Sequence, residues 1–172
     1  MSPGPLDLVN AVELAGRSAT LERRVDLRQL PRLVEAGALE GTQARAHLEF
    51  GRLEGRTTVA VRVEGGVVLV CQRCLKPCTC VVDETAALVV VARDTDGMPG
   101  GYEPLLGDAE QLSLTELIEE QVLLGLPLVP RHATAAQCGK EAAHAAGEPG
   151  AVADETRRPF ANLRELLDKG TG

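Results

Sequence analysis

Arg45-Ala46-His47-Leu48-Glu49-Phe50 alternates apolar and polar side chains without a slip, the period-two signature of a half-buried β-strand. Working outward, Gly51 and Gly55 bracket a turn, after which Val59, Val61 and Val63 alternate with Ala60, Arg62 and Glu64. Gly65-Gly66 breaks that run in the manner of a hairpin. Val67-Val68-Leu69-Val70-Cys71 makes the next strand. Beyond a cysteine-bearing loop, Cys80 to Ala92 reads as a longer strand ending in Val89-Val90-Val91. Four strands on short connections predict an antiparallel meander.

The flanks supply the helices. Residues 1–40 read as short helical or mixed segments, and Leu30-Pro31-Arg32-Leu33-Val34 tolerates its proline only near a helix start. Residues 94–111 read as a loop rich in Gly, Pro and Asp. Ser113 followed by Glu116 is a capping box. It opens a helix with Leu114, Leu117, Ile118 and Val122 on one face, closed by Pro127 and Pro130. Residues 133–158, rich in Ala, Gly and Glu, predict a flexible linker. The terminal 159–169 segment gathers Phe160, Leu163, Leu166 and Leu167 on one face of a short helix that docks back. The expected fold is therefore α+β: an antiparallel sheet of about four or more strands with a few helices. Residues 1–132 would form one domain, followed by the linker and terminal helix.

Composition narrows the function. The chain of 172 residues is 44% hydrophobic but only 2% aromatic, with no Trp. Its core must be built from Val, Leu and Ala, and it lacks the rings on which single-stranded RNA is usually stacked. The net charge of -7 opposes a simple RNA clamp, but the charge is uneven. Residues 1–80 carry 11 basic and 9 acidic side chains; residues 81–172 carry 7 and 16. No signal-peptide pattern opens the sequence, and its apolar runs are too short to span a bilayer. The expected location is cytoplasmic, with no membrane partner and with thiols kept reduced.

Four of five cysteines, Cys71, Cys74, Cys78 and Cys80, then read as candidate metal ligands rather than as a disulfide frame. Cys71-Gln72-Arg73-Cys74 at a strand end has the spacing at which two thiolates of one turn share a zinc ion. A closed site needs two more donors. Cys78 and Cys80, two apart on the next strand, share a face and offer one solution; Cys138 with His132, folding back, offers another. Packing alone also accounts for buried cysteines. A redox role fits poorly, because thioredoxin-like motifs open a helix in a βαβ unit.

Catalytic constellations are missing from the sequence. The three serines are Ser2, Ser18 and Ser113, and there is no P-loop, dinucleotide fingerprint or HExxH. Glu119 and Glu120 point about a hundred degrees apart on their helix and read as a solvated face. His47 reads as a surface histidine.

Three blocks in order carry a family resemblance. Val70-Cys71-Gln72-Arg73-Cys74-Leu75-Lys76-Pro77 resembles the hallmark of the bacterial YceD family. The stretch from Leu112 to Glu120, then Val122 to His132 with Cys138 beyond, resembles its second block, and Pro159 to Leu163 its third. The resemblance implies a role in synthesis, processing or stability of 23S ribosomal RNA, with no known catalytic reaction. Cys71, Arg73, Cys74, Pro127, Pro130, His132 and Cys138 match family positions; Cys78 and Cys80 lie outside the pattern. The second cysteine pair of some branches is also missing near Cys138.

The expectation is a non-enzymatic assembly factor without a small-molecule substrate. Its partner would be the large-subunit RNA precursor, met directly or through a basic ribosomal protein, which an acidic surface suits. Arg52, Arg56, Arg62 and Arg73 are the candidate phosphate contacts if RNA is touched directly. The competing reading is a cytosolic zinc-stabilised interaction scaffold with no RNA role. An RNA-processing enzyme comes last, for want of clustered acids.

Overall fold

Val59, Val61, Val63, Val67 and Leu69 lie on one face of a single strand, Arg56–Val70, and all are buried. The structure is a computed structural model that describes residues 8–92 and 99–139. Its elements in order are β1 (Leu8–Val9), α1 (Ala11–Gly16), β2 (Thr20–Asp26), α2 (Pro31–Glu35), β3 (Gln43–Leu53), β4 (Arg56–Val70), β5 (Pro77–Val91), β6 (Glu103–Leu106), β7 (Leu112–Ser113) and α3 (Leu114–Leu124). Short 3-10 turns at Leu27–Gln29 and Ala135–Cys138 complete the list.

Five strands form one sheet in the order β2-β3-β4-β5-β6, and β1 pairs with β7 in a separate two-stranded ribbon. The α+β class is as expected, but the sheet is mixed: β6 joins β5 in parallel, Leu88 opposite Glu103 through Val91 opposite Leu106. Gly65-Gly66 is not a hairpin. The strand runs through it, with Gly65 opposite Ala44 on one side and Val82 on the other. A Cβ on Gly65 would sit 2.5 Å from the Gln43 carbonyl oxygen, so the glycine serves close backbone approach within a strand. The strand β2 also lies where only short helical or mixed segments were expected.

The pleat sorts the residues. Ala44, Ala46, Leu48 and Phe50 of β3 join the inward face of β4 and Cys78, Cys80, Val82 and Leu88 of β5. Helices α1 and α3 cover this face with Ala11, Leu14, Leu117, Ile118 and Val122, all in one cluster. Each fully buried Val or Leu contributes roughly 1.5–3 kcal/mol relative to exposure, so aliphatic burial carries this fold nearly without rings. Arg45, Arg62, Glu64 and Asp83 face solvent on the other side.

Helix α3 begins as expected, with Ser113 Oγ accepting from the Glu116 N–H at 3.3 Å. It ends at Leu124, capped by Gly125, before either proline. Pro31 occupies the first turn of α2. Its N-cap, Leu30, has no side-chain acceptor, and Glu119 of α3 supplies one: Oε1 accepts from the Leu33 N–H at 3.0 Å. Glu119 is therefore buried, not solvated, because its carboxylate satisfies an orphan donor at a positive helix end. Glu120 meets solvent and pairs with Arg32. Ala135–Cys138, inside the stretch expected to be linker, is a 3-10 turn; residues 140–158 of that stretch and residues 159–169 lie outside the described residues.

Candidate metal centre

Strand β4 delivers Cys71 to the inward side one residue past its end, continuing the alternation of Val67 and Leu69. The turn that follows is tight. The Cys71 N–H donates to the Lys76 carbonyl at 2.9 Å and the Leu75 N–H to the Cys71 carbonyl at 2.8 Å. Leu75 adopts a left-handed conformation, with φ of 58°. The Arg73 N–H lies 3.4 Å from the Cys71 sulfur. This reversal joins β4 to β5 and brings Cys74 beside Cys71.

The other donors arrive from the far side of α3. Beyond Gly125 the chain returns along the end of β4, where the Gln72 N–H donates to the Pro130 carbonyl at 2.8 Å. That bond fixes His132 two residues on. Thr134 then caps the 3-10 turn Ala135–Cys138 in a capping box with Gln137. Cys138, at its last position, points inward and is 1% exposed.

Four donor atoms converge, from Cys71, Cys74, His132 and Cys138, all within 4.8 Å of one another. Cys71 Sγ and Cys138 Sγ are 3.9 Å apart. His132 Nδ1 is 3.5 Å from the sulfurs of both Cys74 and Cys138. A tetrahedral zinc ion with its usual bond lengths would separate sulfur from sulfur by roughly 3.8 Å and sulfur from nitrogen by roughly 3.6 Å. These three separations are close to that geometry, and a Cys₃His set is one of zinc's closed structural coordination shells. Cys71 and Cys138 are buried; Cys74 and His132 are half-buried. These four side chains could hold a metal ion such as zinc.

The electrostatics prepare one thiolate. Burial alone would raise the Cys71 thiol, but backbone N–H groups of His132, Arg73 and Cys74 donate to its sulfur and bring it down to about 5. The Cys138 thiol moves the other way, through burial and then through its hydrogen bonds with Cys74 and Cys71. Burial and the neighbouring sulfurs thus oppose a negative charge on Cys138, which a bound cation would offset.

Cys78 and Cys80 face the core from β5 and are outside the four-donor group. Burial, with Cys80 and Cys71 nearby, pushes the Cys78 thiol up to about 11. The candidate arginines scatter. Arg52 is exposed on β3; Arg56, at the β3–β4 turn, is half-buried, and its Nη1 is buried without a hydrogen-bond partner. Arg62 is held by Asp83 through two bonds of 3.2 Å and by Glu64 at 2.6 Å. Arg73 Nη1 lies 3.9 Å from the Cys138 sulfur, so it serves the cysteine cluster. Sequence reading missed a different basic pair, Arg24 and Arg45, which the register sets directly opposite each other. Nothing in the sequence shows that pairing unless β2 is recognised as a strand.

A family model described as "Large ribosomal RNA subunit accumulation protein YceD" matches residues 59–167, which include all four donors. No solved structure matches the chain. Among the described residues, no helix is long and apolar enough to cross a membrane.

Proposed function

The chain belongs to the YceD family, named for large ribosomal RNA subunit accumulation, and from that premise we propose that it is a non-catalytic, cytoplasmic factor for the synthesis, processing or stability of 23S ribosomal RNA. The observation that carries this reading is the family match across the cysteine turn, α3 and the His132–Cys138 segment. The donor set supports a structural role for the metal centre. Four protein ligands fill a tetrahedral shell and leave no position for substrate, unlike the open sites of zinc enzymes.

Zinc, when bound, would neutralise the thiolates and cross-link the segment after α3 to the β4–β5 turn. Cys71 and Cys74 would hold it from one side, His132 and Cys138 from the other. The partner is the large-subunit RNA precursor, directly or through a basic ribosomal protein, for which the net charge of -7 is favourable.

Depletion of the protein in its native cell, with the free large and small ribosomal RNAs compared, tests the proposal. Selective loss of large-subunit RNA, restored by wild type and not by Cys71→Ser/Cys74→Ser, is the expected result. Unchanged ribosomal RNA after depletion would overturn it.

A further inference from the structure

Arg24 and Arg45 are Cα partners across the β2–β3 ladder, and both are exposed on the solvent face of the sheet. Directly opposed like charges destabilise an antiparallel pair, so a carboxylate would be expected to relieve them. The nearest one by register is Glu64, opposite Arg45 on β4. It lies 2.6 Å from Arg62 instead, and Asp83, the next residue in the same cross-strand row, is bonded to Arg62 as well. Neither Arg24 nor Arg45 has an ion pair among the described residues. Two arginines thus face each other across the ladder, while Glu64 and Asp83 are engaged by Arg62.

The surface beside them is concave. Arg24, Arg45, Gln29, Gln43 and Asp26 line it. Gly66, on the same face of β4 as Glu64, leaves its floor without a side chain. Glu64 also borders it, so carboxylates of Asp26 and Glu64 share the hollow with the arginines. Either an acidic peptide or a phosphate is drawn by the arginines and repelled by the carboxylates. A sugar–phosphate backbone adds what acidic side chains lack: phosphate oxygens accept from the guanidinium forks, and ribose 2′-hydroxyls beside them donate to the carboxylates.

We infer that Arg24 and Arg45 form an RNA-backbone contact, each holding one phosphate while Asp26 and Glu64 receive 2′-hydroxyls. This deepens the ribosomal RNA reading and rests on it. It also assigns direct contact to a pair different from the four arginines that the sequence suggested. The sheet face needs no aromatic platform for this, since backbone recognition involves no base stacking.

The test uses the full chain and a large-subunit ribosomal RNA fragment, with binding followed over a range of salt concentrations. Arg24→Glu places a carboxylate opposite Arg45, so this variant should melt no lower than wild type and yet bind RNA more weakly. Arg24→Ala/Arg45→Ala should flatten the plot of log affinity against log salt by roughly 1.4, the slope of two single-strand phosphate contacts. Arg24→Lys/Arg45→Lys should keep most of that slope. The DNA version of the same sequence should bind less tightly. Unchanged affinity and slope in a folded Arg24→Glu variant, equal binding of DNA, or equal binding of polyglutamate would overturn the contact. So would an RNA-inert wild type, even where depletion lowers large-subunit RNA and the family role stands. Conversely, RNA binding abolished by Arg24→Glu in a chain whose depletion leaves ribosomal RNA unchanged would uphold the contact and overturn the role.

Discussion

Cys71 and Cys138, separated by 67 positions in the sequence, hold their sulfurs 3.9 Å apart. One lies at the end of the long central strand, the other at the end of a 3-10 turn beyond α3. Whatever joins them ties the chain's return segment to the sheet.

Cutting that tie should free the return segment and spare the sheet. In Cys138→Ser, hydrogen exchange at the Gln72 amide, which donates to Pro130, and at the amides of residues 132–138 should quicken tenfold or more. Tenfold is about 1.4 kcal/mol of local opening free energy. The amides of β3 and β4 should keep their protection. Equal loss across the sheet would show instead that the site supports the whole fold.

Zinc affinity should rise with pH. The Cys71 thiol sits at about 5 and the Cys138 thiol above its ordinary value. At neutral pH the metal-free site therefore has Cys71 ionised and Cys138 protonated, and binding must expel the Cys138 proton. Log affinity should climb by about one unit or more per pH unit between roughly pH 6 and 8. It should steepen below about 5, where Cys71 also binds a proton. A competition titration with a chromophoric chelator reads this slope, and a flat line would contradict it.

Glu119 should matter to stability although it is not one of the metal centre's donors. Its carboxylate accepts from the Leu33 N–H, inside the protein. Glu119→Ala would leave that donor buried and unmet, at a cost of ~1–3 kcal/mol in urea unfolding. Glu119→Gln keeps an acceptor and should lose less.

Gly65→Ala should be more damaging than a glycine replacement in a strand usually is. Its Cβ would fall 2.5 Å from the Gln43 carbonyl oxygen and 2.9 Å from Ala44 Cα, both backbone atoms with little room to move. A loss of ~1–3 kcal/mol, read as a lower urea midpoint at constant slope, is expected.

Much of this was legible, and the failures have physical causes. Alternation located β3 and the valine runs of β4 because one sheet face is dry and the other wet. The same rule stumbled at Gly65-Gly66, since a glycine pair signals a turn or a close approach equally well. Strand β2 escaped because Glu22, Arg23 and Arg24 interrupt its alternation at a sheet edge. The parallel partner β6 depends on its pairing with β5, which no local pattern encodes. Glu119 resembled a surface acid because its partner, the Leu33 N–H, comes from a helix 86 residues away. The cysteine turn was visible in Cys71 and Cys74. Choosing the remaining donors was not, because period-two placement of Cys78 and Cys80 and a fold-back of His132 and Cys138 satisfy the same spacing. The fold brings the second pair to the first.

Native mass spectrometry of the full chain, purified under reducing conditions and supplied with zinc, tests the metal centre most directly. One zinc ion per chain is expected, lost in Cys138→Ser and His132→Ala and kept in Cys78→Ala and Cys80→Ala. A wild-type chain that takes up no zinc, or zinc that survives Cys138→Ser but not Cys78→Ala, would contradict the assignment of Cys71, Cys74, His132 and Cys138.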